Sequence, residues 1–174
     1  MTAEQNNRGQ LDNQDQQAVA GALSPALDDA PARLRFRSDA PFESPIAPLG
    51  DFLAADGPGG NFAAVRIEPG DDARMLVPHL GRLKLIEIAF PKFRDGRGYS
   101  SAAILREAGF AGEIRAAGDV LVDQIGFMRR VGFDSFAPAG PLDLKVVQAT
   151  LDRYPHVYMN AADGKSPVWA LRHG

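Results

Sequence analysis

The sequence predicts an α/β fold: an open, mainly parallel sheet or partial barrel of about four βα units. Strand-like apolar runs recur at 62–67, 84–90, 113–116 and 133–137. Each is followed by a stretch with helical spacing, and glycine or proline marks most of the boundaries. Strands alternating with helices imply right-handed crossovers and therefore parallel pairing. The strands are too few for a closed eight-fold barrel. That leaves an open doubly wound sheet or a partial barrel, with a second copy covering an exposed edge as a homodimer.

Residues 1–30 are rich in Gln, Asn, Asp and Ala and offer little to bury, so a disordered tail is expected there, followed by one domain over 31–174. Leu34 and Phe36 alternate with Arg33, Arg35 and Arg37, as in a short edge strand. Asp51–Ala55 suits one helical turn, stopped by Gly57-Pro58-Gly59-Gly60. After the first strand, Pro69-Gly70 forms a turn, and Asp71–Leu83 reads as a helix with acids at its positive end and a kink or split at Pro78. The second strand ends at Phe90. Ser100 or Ser101 is the expected N-cap of the next helix, and Gly109 its end. Asp119 is the expected N-cap of a helix running to Val131, and Pro141 opens the helix that carries Leu142, Val146, Val147 and Leu151. Beyond Tyr154-Pro155, the apolar pieces His156-Val157-Tyr158 and Val168–Leu171 flank a loop at 160–166 and are expected to dock on the domain or on a partner.

Composition excludes several functions. At 174 residues with 45% hydrophobic and 24% charged content, the chain has the makings of one soluble globular domain. A net charge of −3 argues against a dedicated nucleic-acid binder. No apolar run approaches membrane-spanning length, and the N-terminus has no signal-like pattern, so a cytoplasmic protein is expected. With no cysteine, thiolate catalysis, disulfides and Cys-type metal sites are ruled out. His79, His156 and His173 lack metal-ligand spacing, and no metal site is expected. No cofactor can be named from the residues.

The richest chemistry lies in Phe90-Pro91-Lys92-Phe93-Arg94-Asp95-Gly96-Arg97-Gly98-Tyr99-Ser100, where a strand hands over to a helix. In parallel sheets such loops share one rim, and that rim is where ligands sit. Lys92, Arg94 and Arg97, with Arg115 from the next strand, would form a positive rim suited to a small oxyanion. Asp95, Tyr99 and Asp119 are the catalytic candidates, orienting those cations or exchanging a proton. Helix N-termini at Ser100 and Asp119 would aim free N–H groups at the same rim. A plainer reading has Asp95 paired with the neighbouring arginines to hold the turn, and Asp119 acting only as a cap. Glu87 between Ile86 and Ile88 needs a partner if buried, and Arg115 is the natural one. The Gly96-Arg97-Gly98 spacing lacks the third glycine of a dinucleotide loop.

Three blocks together resemble a bacterial family of unknown function whose members are labelled probable oxidoreductases involved in sulfite reduction. They are 90–100, Gly112–Gln124 and Arg130–Phe136, and the resemblance covers about 50–137. Genes of that family often lie beside those of the sulfite reductase haemoprotein. The resemblance implies a role in assimilatory sulfur metabolism, with the haemoprotein as partner, and carries over no catalytic residue. Many relatives have a cysteine where this chain has Val131, a position read here as core packing.

The sequence therefore supports an accessory protein of sulfite reduction that uses the positive rim to bind a small oxyanion, an anionic cofactor or the reductase. A stand-alone enzyme transferring protons on an anionic substrate and a purely structural assembly module are the alternatives.

Overall fold

The computed structural model describes residues 34–55 and 62–171. The expected N-terminal tail, the Gly57–Gly60 stop and His173 lie outside the described residues.

Six strands form one open sheet: β1 (Leu34–Arg35), β2 (Ala47–Pro48), β3 (Ala64–Ile67), β4 (Leu85–Phe90), β5 (Glu113–Gly118) and β6 (Ser135–Pro138). Their order is β1-β6-β5-β4-β3-β2. All pairs are parallel except β1 with β6, so the four expected strands form the centre and two short strands flank them. The helices are α1 (Leu49–Ala54), α2 (Arg97–Glu107), α3 (Ile125–Val131), α4 (Leu144–Asp152) and α5 (Val168–Leu171). Tighter 3-10 segments cover Ala73–Arg82 and Val122–Gln124.

From β2 to β6 the strands lie side by side in chain order, so successive right-handed crossovers all fall on one face. This removes the doubly wound alternative, because the winding is that of a barrel left open. One cluster joins Phe52 of α1, Leu76, Ala102 and Leu105 of α2, Ile125 and Met128 of α3 and Val147 of α4 to the sheet. It meets Val65, Ile67, Ile86, Ile88, Phe90, Ile114 and Phe136, alternate strand residues that point to that face. Each fully buried Ile, Leu or Phe there contributes about 1.5–3 kcal/mol.

Several expected boundaries move, each for a local reason. The segment expected as a helix with a break at Pro78 is a continuous 3-10 run, begun where the Asp72 carboxylate accepts the Arg74 N–H at 3.0 Å. Proline lacks the donor for an α-type bond, which disfavours α winding around it. Helix α2 starts at Arg97, ahead of both serines, and Ser101 instead donates to the Arg97 carbonyl at 3.3 Å. Asp143, not Pro141, opens α4, because its carboxylate accepts from Lys145 and Val146 N–H groups. Asp119 caps no helix; α3 begins only at Ile125.

Candidate functional site

The residues 91–96 follow the C-terminal end of β4, as the sequence predicts. Their approach to the sheet depends on Gly98, where a Cβ would lie 2.5 Å from the Phe90 ring. A side chain at that position would push the start of α2 off the sheet. The loop is then fastened to its neighbour. The Asp119 carboxylate accepts the Phe93 N–H at 3.0 Å, and the Gln124 amide donates to the Phe93 carbonyl at 2.8 Å.

Each proposed site residue can now be placed. Asp95 and Arg97 form a fork-to-fork pair, with Arg97 Nε to Oδ1 at 2.9 Å and Nη2 to Oδ2 at 2.6 Å. The Arg97 backbone N–H donates to the same carboxylate at 3.2 Å. Those bonds hold the Asp95 carboxyl at a pKa of about 2. This is the plainer of the two sequence readings, although Arg94 takes no part in it. Arg94 instead lies 5.2 Å over the Phe93 ring, and it and Lys92 are exposed at the rim. Tyr99 is half-buried against Phe90 and Phe133 at ring distances of 6.0 and 6.3 Å. Burial pushes its phenol pKa up, and the Asp123 charge adds to that, so at neutral pH it keeps its proton.

Arg115 does not join the rim. It sits within β5 on the face away from the helices, in register between Glu87 and Ser135. There it belongs to a ladder of charges crossing the sheet. Arg66 Nη1 donates to Glu87 Oε1 at 2.9 Å, and Arg115 Nη1 lies 3.7 Å from Glu87 Oε2. Arg115 Nη2 donates to Glu113 Oε1 at 3.0 Å, which also accepts from Ser135 Oγ at 2.6 Å. Arg35 Nε completes the row on Glu113 Oε2 at 2.9 Å. The expected Glu87–Arg115 partnership is thus present, with Arg66 the closer partner. Although burial opposes it, the Ser135 and Arg35 bonds and the Arg115 charge leave the Glu113 pKa below its ordinary 4.5. Period-two spacing puts Glu113 and Arg115 on one face, but which arginine meets which glutamate depends on strand order.

The Arg130–Phe136 block also has a structural explanation. Arg106 donates to the carbonyls of Phe110, Gly112 and Gly132 and binds the Asp134 carboxylate, which also accepts the Ile114 N–H at 2.9 Å. Arg106 is therefore an internal strut between α2 and β6. Val131 is partly buried against the core, as expected.

A second region lies outside the strand-end loop. Beside α3 and α4, a cavity of about 330 Å³ is lined by residues including Phe127, Arg129, Tyr154, His156, Tyr158 and Lys165. The tail is held there by Arg130 on Asp163 and by the Ala162 N–H donating to the Arg130 carbonyl at 3.0 Å, and within the tail the Trp169 indole donates to the Tyr158 carbonyl at 3.1 Å. The signal for it in the sequence is the density of aromatic residues after 153. Among the described residues, no group of three or more His, Cys, Asp or Glu side chains is placed to hold a metal, and no helix is long and apolar enough to cross a membrane.

The fold and these two regions define a singly wound α/β protein with an internally bonded strand-end loop and an open aromatic face. The chain belongs to the bacterial protein family of unknown function DUF934, which it matches over residues 64–169. The match takes in the aromatic tail, beyond the blocks that carry the resemblance to sulfite-reduction proteins. No curated protein and no solved structure matches the chain.

Proposed function

We propose that the chain is an accessory protein of sulfite reduction that works by holding a partner, not by turning over a substrate of its own. One observation carries this reading: the two acids, Arg97 and Arg115 proposed for the rim are bonded within the protein, and Tyr99 is packed against Phe90 and Phe133. Asp95 holds Arg97, Asp119 holds the Phe93 amide, and Arg115 lies in the sheet ladder. A general base must reach a substrate proton, and a group bonded in this way is not poised to do so.

Two features remain for a partner. Lys92 and Arg94 stay exposed at the rim, where an acidic surface would meet them. Phe127, Tyr154, Tyr158, Met159 and Trp169 are each more than half exposed, an apolar density that marks contact surfaces. The sulfur assignment rests on the three sequence blocks and the gene neighbourhood their resemblance implies; the haemoprotein is the partner it names.

The test is a pull-down of the tagged protein from its native host, with growth of a deletion strain on sulfate as sole sulfur source. The sulfite reductase haemoprotein should co-purify, and Lys92→Glu with Arg94→Glu should reduce its recovery severalfold. Normal growth of the deletion strain would remove the sulfur assignment. Turnover by the purified protein alone would remove the accessory reading.

A further inference from the structure

The last turn of α3 carries two arginines whose situations differ. Arg130 is engaged, with Nη1 3.3 Å from Asp163 Oδ2 and Nη2 donating to the Met159 carbonyl at 2.7 Å. Arg129 lies with its guanidinium carbon 4.0 Å above the Phe36 ring, and Phe36 is braced edge-on by Phe136. Among the described residues no hydrogen bond or ion pair engages its N–H donors. Burial lowers its pKa, while the charges of Asp163 and Asp134 act the other way. Both acids are already occupied: Asp163 by Arg130, and Asp134 by Arg106 and Arg37. Arg129 is thus a surplus cation, stacked in place with its donors open.

Two cavities meet at this side chain. The aromatic one, about 330 Å³, includes Tyr154, His156, Tyr158 and Lys165 in its wall, together with the carboxylates of Asp123 and of Asp163, the latter taken up by Arg130. The other, about 360 Å³, is lined by Arg106 and Asp134 among others, and Arg129 and Asp163 belong to both. The first falls at the lower end of the roughly 300–1,000 Å³ range of small-molecule sites. Its walls supply ring faces, and a guanidinium fork matches a carboxylate or phosphate. Closing the cavity with a wholly apolar surface would strand the Arg129 donors away from water, which is unfavourable.

We propose that this cavity binds a small molecule with a flat aromatic body and a carboxylate or phosphate group, the anion held by Arg129 and the ring by Tyr154 and Tyr158. The site goes beyond the accessory role and needs no partner protein. Failure here would leave co-purification with the haemoprotein untouched, so the two proposals fail separately.

The experiment is calorimetric titration of the full chain with AMP and flavin mononucleotide, using adenosine, riboflavin and inorganic phosphate as controls. At least one nucleotide should bind with Kd below about 1 mM, and its dephosphorylated control at least about tenfold more weakly. Arg129→Lys keeps the charge but loses the fork, and should weaken binding about tenfold or more. Tyr158 and Lys165 are exposed, so Tyr158→Ala and Lys165→Ala should weaken binding without lowering Tm, and they decide the matter if Arg129→Lys loses stability. The site is overturned if neither nucleotide binds at about 1 mM, if the dephosphorylated compounds bind as tightly, or if Tyr158→Ala and Lys165→Ala both bind like wild type.

Discussion

The charged ladder across the sheet and the basic end of α3 both present arginines near carboxylates, and they differ in how completely those charges are matched. In the ladder, Arg66, Glu87, Arg115, Glu113 and Arg35 each meet an opposite charge, and Ser135 takes up a further bond. At α3, one arginine is matched and its neighbour is not. A buried charge with all its partners is part of the scaffold, whereas a held cation with open donors is ready for something from outside.

The largest effect of a single substitution is expected in the ladder. Arg115→Ala would leave Glu87 and Glu113 short of a partner inside the sheet and should destabilise the fold by about 3–5 kcal/mol in denaturant unfolding. Arg115→Met, of similar volume, restores the packing but leaves Glu87 with Arg66 alone and Glu113 with Arg35 and Ser135, and should rescue only part of that loss.

Acid sharpens the same point. Because the Glu113 pKa is lowered on folding, its stabilisation is complete above about pH 4.5 and fades as pH falls through the depressed value. Thermal unfolding scanned from pH 7 to 3 should show Tm falling below that point, with a shallower decline in Glu113→Gln.

A smaller effect is expected where one carboxylate fastens one loop. Asp119→Ala removes the acceptor of the Phe93 N–H and should lower stability by about 1–2 kcal/mol, with faster hydrogen exchange at Phe93. The smallest effects belong to the surface. Arg97→Ala breaks an exposed pair and should leave Tm unchanged within error. Trp169→Ala should likewise leave Tm nearly unchanged while reducing recovery of the haemoprotein; retention of full recovery would take Trp169 out of the contact face.

Much of the fold was legible because short apolar runs and glycine stops are local signals. The four central strands, the turn at Gly109 and the crossover pattern were all readable from neighbours in sequence. Winding direction was not, since doubly and singly wound sheets share the same alternation and differ only in strand order. Of the two flanking strands, β1 was legible as the alternation of Leu34 and Phe36 with arginines, whereas β2 was obscure for a related reason. Ala47-Pro48 is too short to show any period, and the partner that makes it a strand is β3. Helix starts went astray where a side chain two residues upstream took the first N–H groups, as Asp143 does for α4. The strand-end loop was found by its density of polar groups, but that density marked internal bonding as much as availability. Arg115 shows the limit. Its strand and its pairing with Glu87 were readable, but only the folded sheet shows that Glu113 holds it as well and keeps it from the rim.

Strand β1 carries a consequence for where this domain begins. It runs opposite to the rest, occupies the outer edge of β6, and delivers Arg35 to Glu113. Fragments trimmed to the family-matched stretch would start at residue 64, discarding that guanidinium along with Phe52 from the core. They would also uncover a row of unpaired backbone groups on β6, an invitation to stack edge to edge with one another. The stretch recognisable by likeness is therefore shorter than the stretch able to stand alone, and soluble fragments should retain the chain from Leu34 onward.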